Sequence, residues 1–328
     1  MNSLGIVLAS FFLRPSPDAI RGSIEKGINR LETAATNYTK NRACFSCHHQ
    51  AVPMMALAAA KERGFKLQAD VIKNQKEFSL ATFRPKIKEI REGRGVGGGN
   101  TMASYGLMTF QVSGHGRDDT TAALVKYLLD RQKKDGAWAA NSNRPPSEGS
   151  KFTTTGLAME CLKAELANLK EDSEKKSIEE AIERGLMFLK KNEGDTTEDC
   201  VFRLRGLVAG GAGEGVIAPI RSALQKQQRM DGGWSQVSDL ESDAYATGTV
   251  LVALRKAGLK LSDAVYQRGL AYLCRTQDAS GGWIVQTRSR PIQVYFDNGD
   301  PGGKSQFIST AATGWAVLAL LQTVNPTK

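Results

Sequence analysis

The chain has 328 residues, of which 41% are hydrophobic and 24% charged. It is long enough for one large domain or two small ones, and its composition excludes disorder, collagen and a disulfide framework. A formal charge of +10 favours anionic surfaces and leaves membrane-surface association open. Lys and Arg are scattered without a basic cluster interleaved with aromatics, so no nucleic acid partner is expected.

The chain opens with an apolar run, Leu4 to Leu13, as long as a secretory h-region and too short to span a bilayer. No Lys or Arg precedes it and no clean small-x-small cleavage site follows. A periplasmic or otherwise exported location and a cytoplasmic one therefore both stand. Residues 1–16 are set aside as a signal or disordered leader, and residues 17–328 are expected to form one domain. No other segment could form a transmembrane anchor.

An amphipathic helix is predicted over Asp18 to Ala35. The stretch ACFSCHHQ, Ala43 to Gln50, then gathers two of the five cysteines and two of the three histidines. A second helix follows in PMMALAAAKERG, where Pro53 suits a first turn and Gly64 a C-cap. A third covers Leu67 to Phe83, and NTMASYGLMTFQV, after Gly97, Gly98 and Gly99, gives a fourth. From there a repeat dominates. KYLLDRQKKDGAW ends at Trp138, SALQKQQRMDGGW at Trp234 and AYLCRTQDASGGW at Trp283, each reading Gln-x-x-x-Gly-x-Trp. The tryptophans are 96 and 49 residues apart, a period near 48 with one missing copy, filled by GLMFLKKNEGD from Gly185. Each turn is followed by a helix of small residues with a shared Thr-Gly: TTTGLAMECL, YATGTVLVAL and STAATGWAVLAL. A glycine recurring inside a helix implies close packing there. The result is an all-α chain of six helix pairs, near 17–64, 67–114, 118–168, 173–213, 216–258 and 261–323. The crowding of the second helices favours a closed ring over an open superhelix.

These turns and helix pairs resemble the squalene-cyclase and protein-prenyltransferase superfamily over nearly the whole chain. SDAYATGTVLVAL and the ending from Trp283 to Leu320 resemble, more narrowly, bacterial single-toroid squalene-cyclase-like proteins with an N-terminal CxxCHH segment. The resemblance implies an α/α toroid in which Gln132, Gln228, Gln277, Trp138, Trp234 and Trp283 tie outer helices together and do no chemistry.

In such an alternation all inner helices start at one mouth. That places Cys44, Cys47, His48, His49, Gly97 to Met102, Lys151 to Thr153, Glu198 to Cys200, Asp239 to Tyr245, and Lys304 to Phe307 around it, where helix N-termini favour anions and thiolates. Cys44-Phe45-Ser46-Cys47-His48 matches the attachment sequence of c-type haem, in which two thiols join the vinyl groups and the imidazole ligates iron. Met102 or Met54 is the expected partner of His48 at the iron, and His115 is expected at the opposite end of the ring. The alternatives are zinc held by His48 or His49 with Cys44 and Cys47, a redox pair, or buried thiols with no cofactor. Cys161, Cys200 and Cys274 are expected as buried free thiols.

The resemblance also implies terpenoid-cyclase chemistry on an apolar isoprenoid, or a non-catalytic ligand-binding toroid. A cyclase protonates its substrate with an Asp-rich motif that this chain lacks. Asp239, Glu241 and Asp243 stand in the corresponding place and would supply the acid. Asp118 and Asp119, in RDDTTA, read as a helix cap. Prenyltransferase chemistry needs a late histidine, and none follows His115. The expected partners are an apolar small molecule in the ring or a redox protein at its mouth.

Overall fold

The computed structural model describes residues 14–290 and 292–327; the apolar run at Leu4 to Leu13 lies outside them. An outer layer is formed by α1 (Pro17–Asn41), α3 (Val71–Phe83) with α4 (Ile87–Arg91), α6 (Asp119–Arg131), α8 (Asp172–Lys191), α10 (Glu214–Lys226) and α12 (Ala264–Thr276). An inner layer is formed by α2 (Val52–Glu62), α5 (Gly99–Val112), α7 (Lys151–Glu165), α9 (Thr197–Ala209), α11 (Ala244–Lys256) and α13 (Gln306–Leu321). Each inner helix packs on the next, and α13 packs on α2, so the six pairs close into an α/α toroid. The second outer element breaks at Pro85, where a 3₁₀ turn replaces the α-helical bond that proline cannot donate. Between Pro17 and Leu321, no described residue lies in a strand; one isolated bridge joins Trp234 and Asp243. No described helix is long and apolar enough to cross a membrane.

The repeat residues are the ring's fasteners. Trp138, Trp234 and Trp283 are buried, and each indole Nε1 donates to a carbonyl ten residues earlier: Leu128, Leu224 and Leu273, at 2.7, 2.7 and 2.9 Å. Their backbone N–H groups donate to Thr155, Thr247 and Thr313, the threonines of the Thr-Gly pairs. Gln132 donates to Gly136 O and to Ala181 O on the next outer helix; Gln228 does the same with Gly232 and Val265. The last copy closes the circle, with Gln277 donating to Gly281 O and to Ser23 O of α1, both at 2.9 Å. The glycines allow this proximity. A Cβ on Gly156 would lie 2.5 Å from Phe202 O, and one on Gly248 would lie 2.7 Å from the Trp315 carbonyl carbon.

Polar and aromatic side chains of the inner helices meet across the ring. Arg205 of α9 lies 4.6 Å from the ring of Phe202 and 4.9 Å from that of Trp315 on α13, which is not its neighbour in the circle. Its guanidinium is almost fully buried and pairs with Glu160, to which Lys256 also donates. Burial would raise the Glu160 carboxyl, but the two cations hold it down at about 2. Clefts also open at the mouth, where the inner helices begin.

Candidate functional site

Helix α1 ends at Asn41, and the extended backbone of Arg42 turns the chain toward the mouth. Ser46 then caps a wide π-helical turn, Cys47–Ala51, accepting from the His49 N–H at 3.1 Å. This turn runs directly into α2, so Cys47 to His49 form its opening rather than a preceding loop. The wide turn places two successive imidazoles in contact.

His49 is fully buried and stacks on Tyr38, ring centroids 4.6 Å apart. Asn298 donates to its Nε2, and its Nδ1 lies 2.7 Å from Nδ1 of His48. Both nitrogens are committed, which removes His49 from the ligand set considered for zinc. Ser46 Oγ also meets His48 Nδ1, at 2.6 Å. With both contacts on Nδ1, Nε2 of His48 is the nitrogen left for a ligand. Burial lowers the His48 pKa to about 4 against the raising influence of Glu148, so the ring is neutral.

Glu148 is the residue that sequence reasoning missed. It sits 101 positions beyond Cys47, in the loop before α7, and accepts from the Cys47 thiol at 3.3 Å. Ser142 and Arg144 hold its other oxygen, at 3.2 and 3.0 Å. Burial, reinforced by this carboxylate, raises the Cys47 pKa well above the ordinary thiol value. Cys47, His48 and Glu148 offer ligand atoms within 4.8 Å of one another. Thiol, neutral imidazole and carboxylate are together a donor set for a transition metal with an open position. No spacing signature links a lone loop glutamate to a CxxCH.

These side chains wall a cleft of about 370 Å³, together with Cys44, Met102 and Phe307. Cys44 is exposed at the rim, its Sγ 3.3 Å from the Tyr38 hydroxyl. Met102 forms part of the wall because Gly98, with φ 82°, starts α5 so tightly that a Cβ there would strike the methionine Cγ. Met54 is fully buried among core side chains. His115 follows the C-terminal end of α5, away from Met102, and pairs with Asp118 at 3.1 Å. Asp118 caps α6 with a reciprocal capping box. Cys161 is buried, whereas Cys200 and Cys274 are half-buried, because their helices turn those positions partly outward.

The acidic group before α11 does not converge on the ring interior. Asp239 and Glu241 are exposed, since the Trp234–Asp243 bridge folds the segment between them outward. Asp243 caps α11 through Ala246 N–H and accepts from Gln236 at 3.0 Å. Burial raises it to about 6 in spite of these bonds. Arg288 joins Gln236, and the neighbouring Ser289 donates to Pro145 O, which places Asp243 at the same mouth as His48.

Residues 211–327 match the squalene-hopene cyclase C-terminal domain family. No curated protein matches the chain. Among solved structures, the chain is similar to a wild-type glycosidase, at 11% identity over 94% of this chain and 98% of that one, with a TM-score of 0.60. It is also similar to the type II terpene cyclase MstE from Scytonema, at 13% identity over 93% and 99%, TM-score 0.54. A variant of that enzyme holding geranylgeranyl dihydroxybenzoate aligns at 14% identity over 92% and 99%, TM-score 0.53. The fold of this chain is that of the squalene-cyclase-like toroids.

Proposed function

We propose that this squalene-cyclase-like toroid carries a covalent c-type haem at its mouth and serves in electron transfer or sensing outside the cytoplasm. The observation that supports this reading is that Cys44, Cys47, His48 and Met102 wall one cleft. The donor set fits the group: two thiols for the vinyl carbons, a neutral imidazole with Nε2 available, and a thioether in the wall. Ligation by Nε2 would require the His48 proton on Nδ1, donated to Ser46 Oγ, and His49, whose Nε2 accepts from Asn298 and whose own proton is therefore on Nδ1, would have to turn that proton away from His48. Bound haem would supply one-electron chemistry. The protein's own contribution is to keep His48 neutral by burial, hold its ring edge through Ser46 and His49, and shield one face with Phe307, 4.7 Å away. Of the two methionines, Met102 is the one in the wall.

The decisive experiment is expression in a host with periplasmic haem-attachment machinery. A Soret band that survives acid-acetone extraction, and is lost in Cys44→Ser with Cys47→Ser, is expected. Colourless protein containing stoichiometric zinc would replace this reading with a metal site at Cys47, His48 and Glu148.

A second reading, terpenoid-cyclase-like action on an apolar isoprenoid, is favoured by the family match over residues 211–327 and the substrate-bound neighbour. The same cleft would then receive the apolar partner, against Phe45, Met102, Ile292 and Phe307. It lacks the expected acid, because Asp239 and Glu241 are exposed and Asp243 is a cap. Turnover of a geranylgeranyl-bearing substrate by colourless protein would favour it.

A further inference from the structure

Residues 292–300 cross the mouth as a strap with no regular secondary structure, and the strap is pinned on its inner side. Arg42 donates to Val294 O and, at 3.2 Å, to Gln293 Oε1, and its guanidinium lies 4.5 Å from the Phe296 ring. Gln293 reaches Cys44 Sγ at 3.8 Å, Asn298 donates to His49, and Gln306 donates to Phe296 O at 2.6 Å. With Phe296 and Asn298 buried in the inward positions, Ile292, Val294 and Tyr295 are left facing water, 68%, 84% and 49% exposed. Neighbouring large apolar side chains held outward in this way, and rimmed by polar groups, mark an interaction surface.

What surrounds the patch selects the partner. Arg290 and Lys304 are exposed and line a smaller cleft beside His48, and neither they nor Arg42 forms an ion pair among the described residues. The strap's exposed carboxylate, Asp297, is turned back to the Gly299 N–H at 2.7 Å. An apolar centre with a cationic rim is complementary to an acidic protein surface. A bilayer fits less well, because the strap is neither helix nor sheet and its peptide groups would enter hydrocarbon unpaired, whereas a protein partner can hydrogen-bond them. We propose that this face docks an acidic carrier protein, with Val294 and Tyr295 at the centre of the contact and Arg42, Arg290 and Lys304 around it. That the partner carries electrons rests on the haem reading; that it is an acidic protein rests on the surface itself. The location suits both, since Ile292 and Gln293 wall the same cleft as Cys44 and a protein seated here covers its opening.

Isothermal titration calorimetry with an acidic [2Fe–2S] ferredoxin as the probe, and a basic c-type cytochrome as its counterpart, tests this. Saturable binding of the ferredoxin and none of the cytochrome is expected at low ionic strength, weakening about ten-fold or more as salt rises from about 0.02 M to about 0.2 M. Val294→Ser combined with Tyr295→Ser should weaken it about ten-fold, and so should Arg290→Glu combined with Lys304→Glu. All four side chains are exposed, and an unchanged thermal midpoint checks that each variant is folded. A third arm offers phosphatidylglycerol vesicles: co-sedimentation lost in the Val294 and Tyr295 variant, without ferredoxin binding, would assign the face to a membrane and overturn the proposal. Ferredoxin binding undiminished in both variants, equal binding of the cytochrome, or no binding to any probe would overturn it as well. Calorimetry needs no colour, so the two readings fail separately: protein without a Soret band that still binds through these residues removes the haem and keeps the docking surface.

Discussion

Replacing Glu198 by Gln should remove a large pH dependence of stability. The carboxyl is held from an ordinary 4.5 to about 8 because burial disfavours its charge more than the Tyr245 and Thr153 hydroxyls favour it. Between those two values the folded protein binds more protons than the unfolded chain, so stability must fall as the pH rises through the window. The contribution of Glu198 is full below about 4.5 and lost above about 8. At about 1.4 kcal/mol for each pH unit, the difference amounts to about 5 kcal/mol. Glutamine keeps the shape and can serve the same two hydroxyls, but it cannot ionise. Urea unfolding of both proteins at about pH 5.5 and pH 9 isolates the effect: the gap between them should shift by several kcal/mol in favour of the Gln variant at the higher pH. Parallel profiles would show that Glu198 is ionised in the fold or that water reaches it freely, and the reasoning would fail.

Other outcomes follow from the same contacts. Trp234→Ala empties a site that is 1% exposed and leaves Leu224 O without its donor; about 3–5 kcal/mol of stability should be lost in chemical denaturation. Gly248→Ala drives a methyl into the backbone at Trp315 and Ala316, so a loss of about 1–3 kcal/mol is expected, whereas the same change at Gly22, where nothing lies within 4 Å, should be harmless or stabilising. In haem-loaded protein, Met102→Ala should alter the visible spectrum and His115→Ala should leave it unchanged; the reverse result would remove Met102 from the cleft's chemistry.

The ring was legible because its determinants repeat. Gln132, Gln228 and Gln277 solve one packing problem three times, and a recurring solution shows through a single sequence. The boundaries of the pairs followed from glycine and proline punctuation, although α1 runs to Asn41, beyond the apolar periodicity that ended at Ala35. The mouth was legible as a place, since helix alternation dictates it. Its inner composition was not. Glu148 and Glu198 occur once each, in ordinary caps and loops, and only the circle brings the first beside Cys47 and the second beneath Tyr245. His49 reads as a ligand in a line of letters and becomes a packing residue once Tyr38 lies across it. The polar axis was missed for a related reason: Arg205 on an otherwise apolar helix reads as solvent-facing until the ring closes around it.

The bond from Gln277 to Ser23 spans 254 positions, and it changes how the chain must fold. In an open array each unit leans only on its neighbours, stability accumulates locally, and two ends need polar caps. Here there are no ends to cap. The first helix packs on α2 and α3 but cannot finish burying its inner face until α13 is synthesised, so the most distant contacts in the chain must form before the circle is complete, a topology associated with slow folding. A nascent chain lacking α13 would leave the flanks of both α2 and α11 uncovered. The same constraint makes the finished circle cooperative, since opening any one seam exposes two faces at once, and proteolysis of the folded protein should yield intact chain or small fragments with few half-rings between.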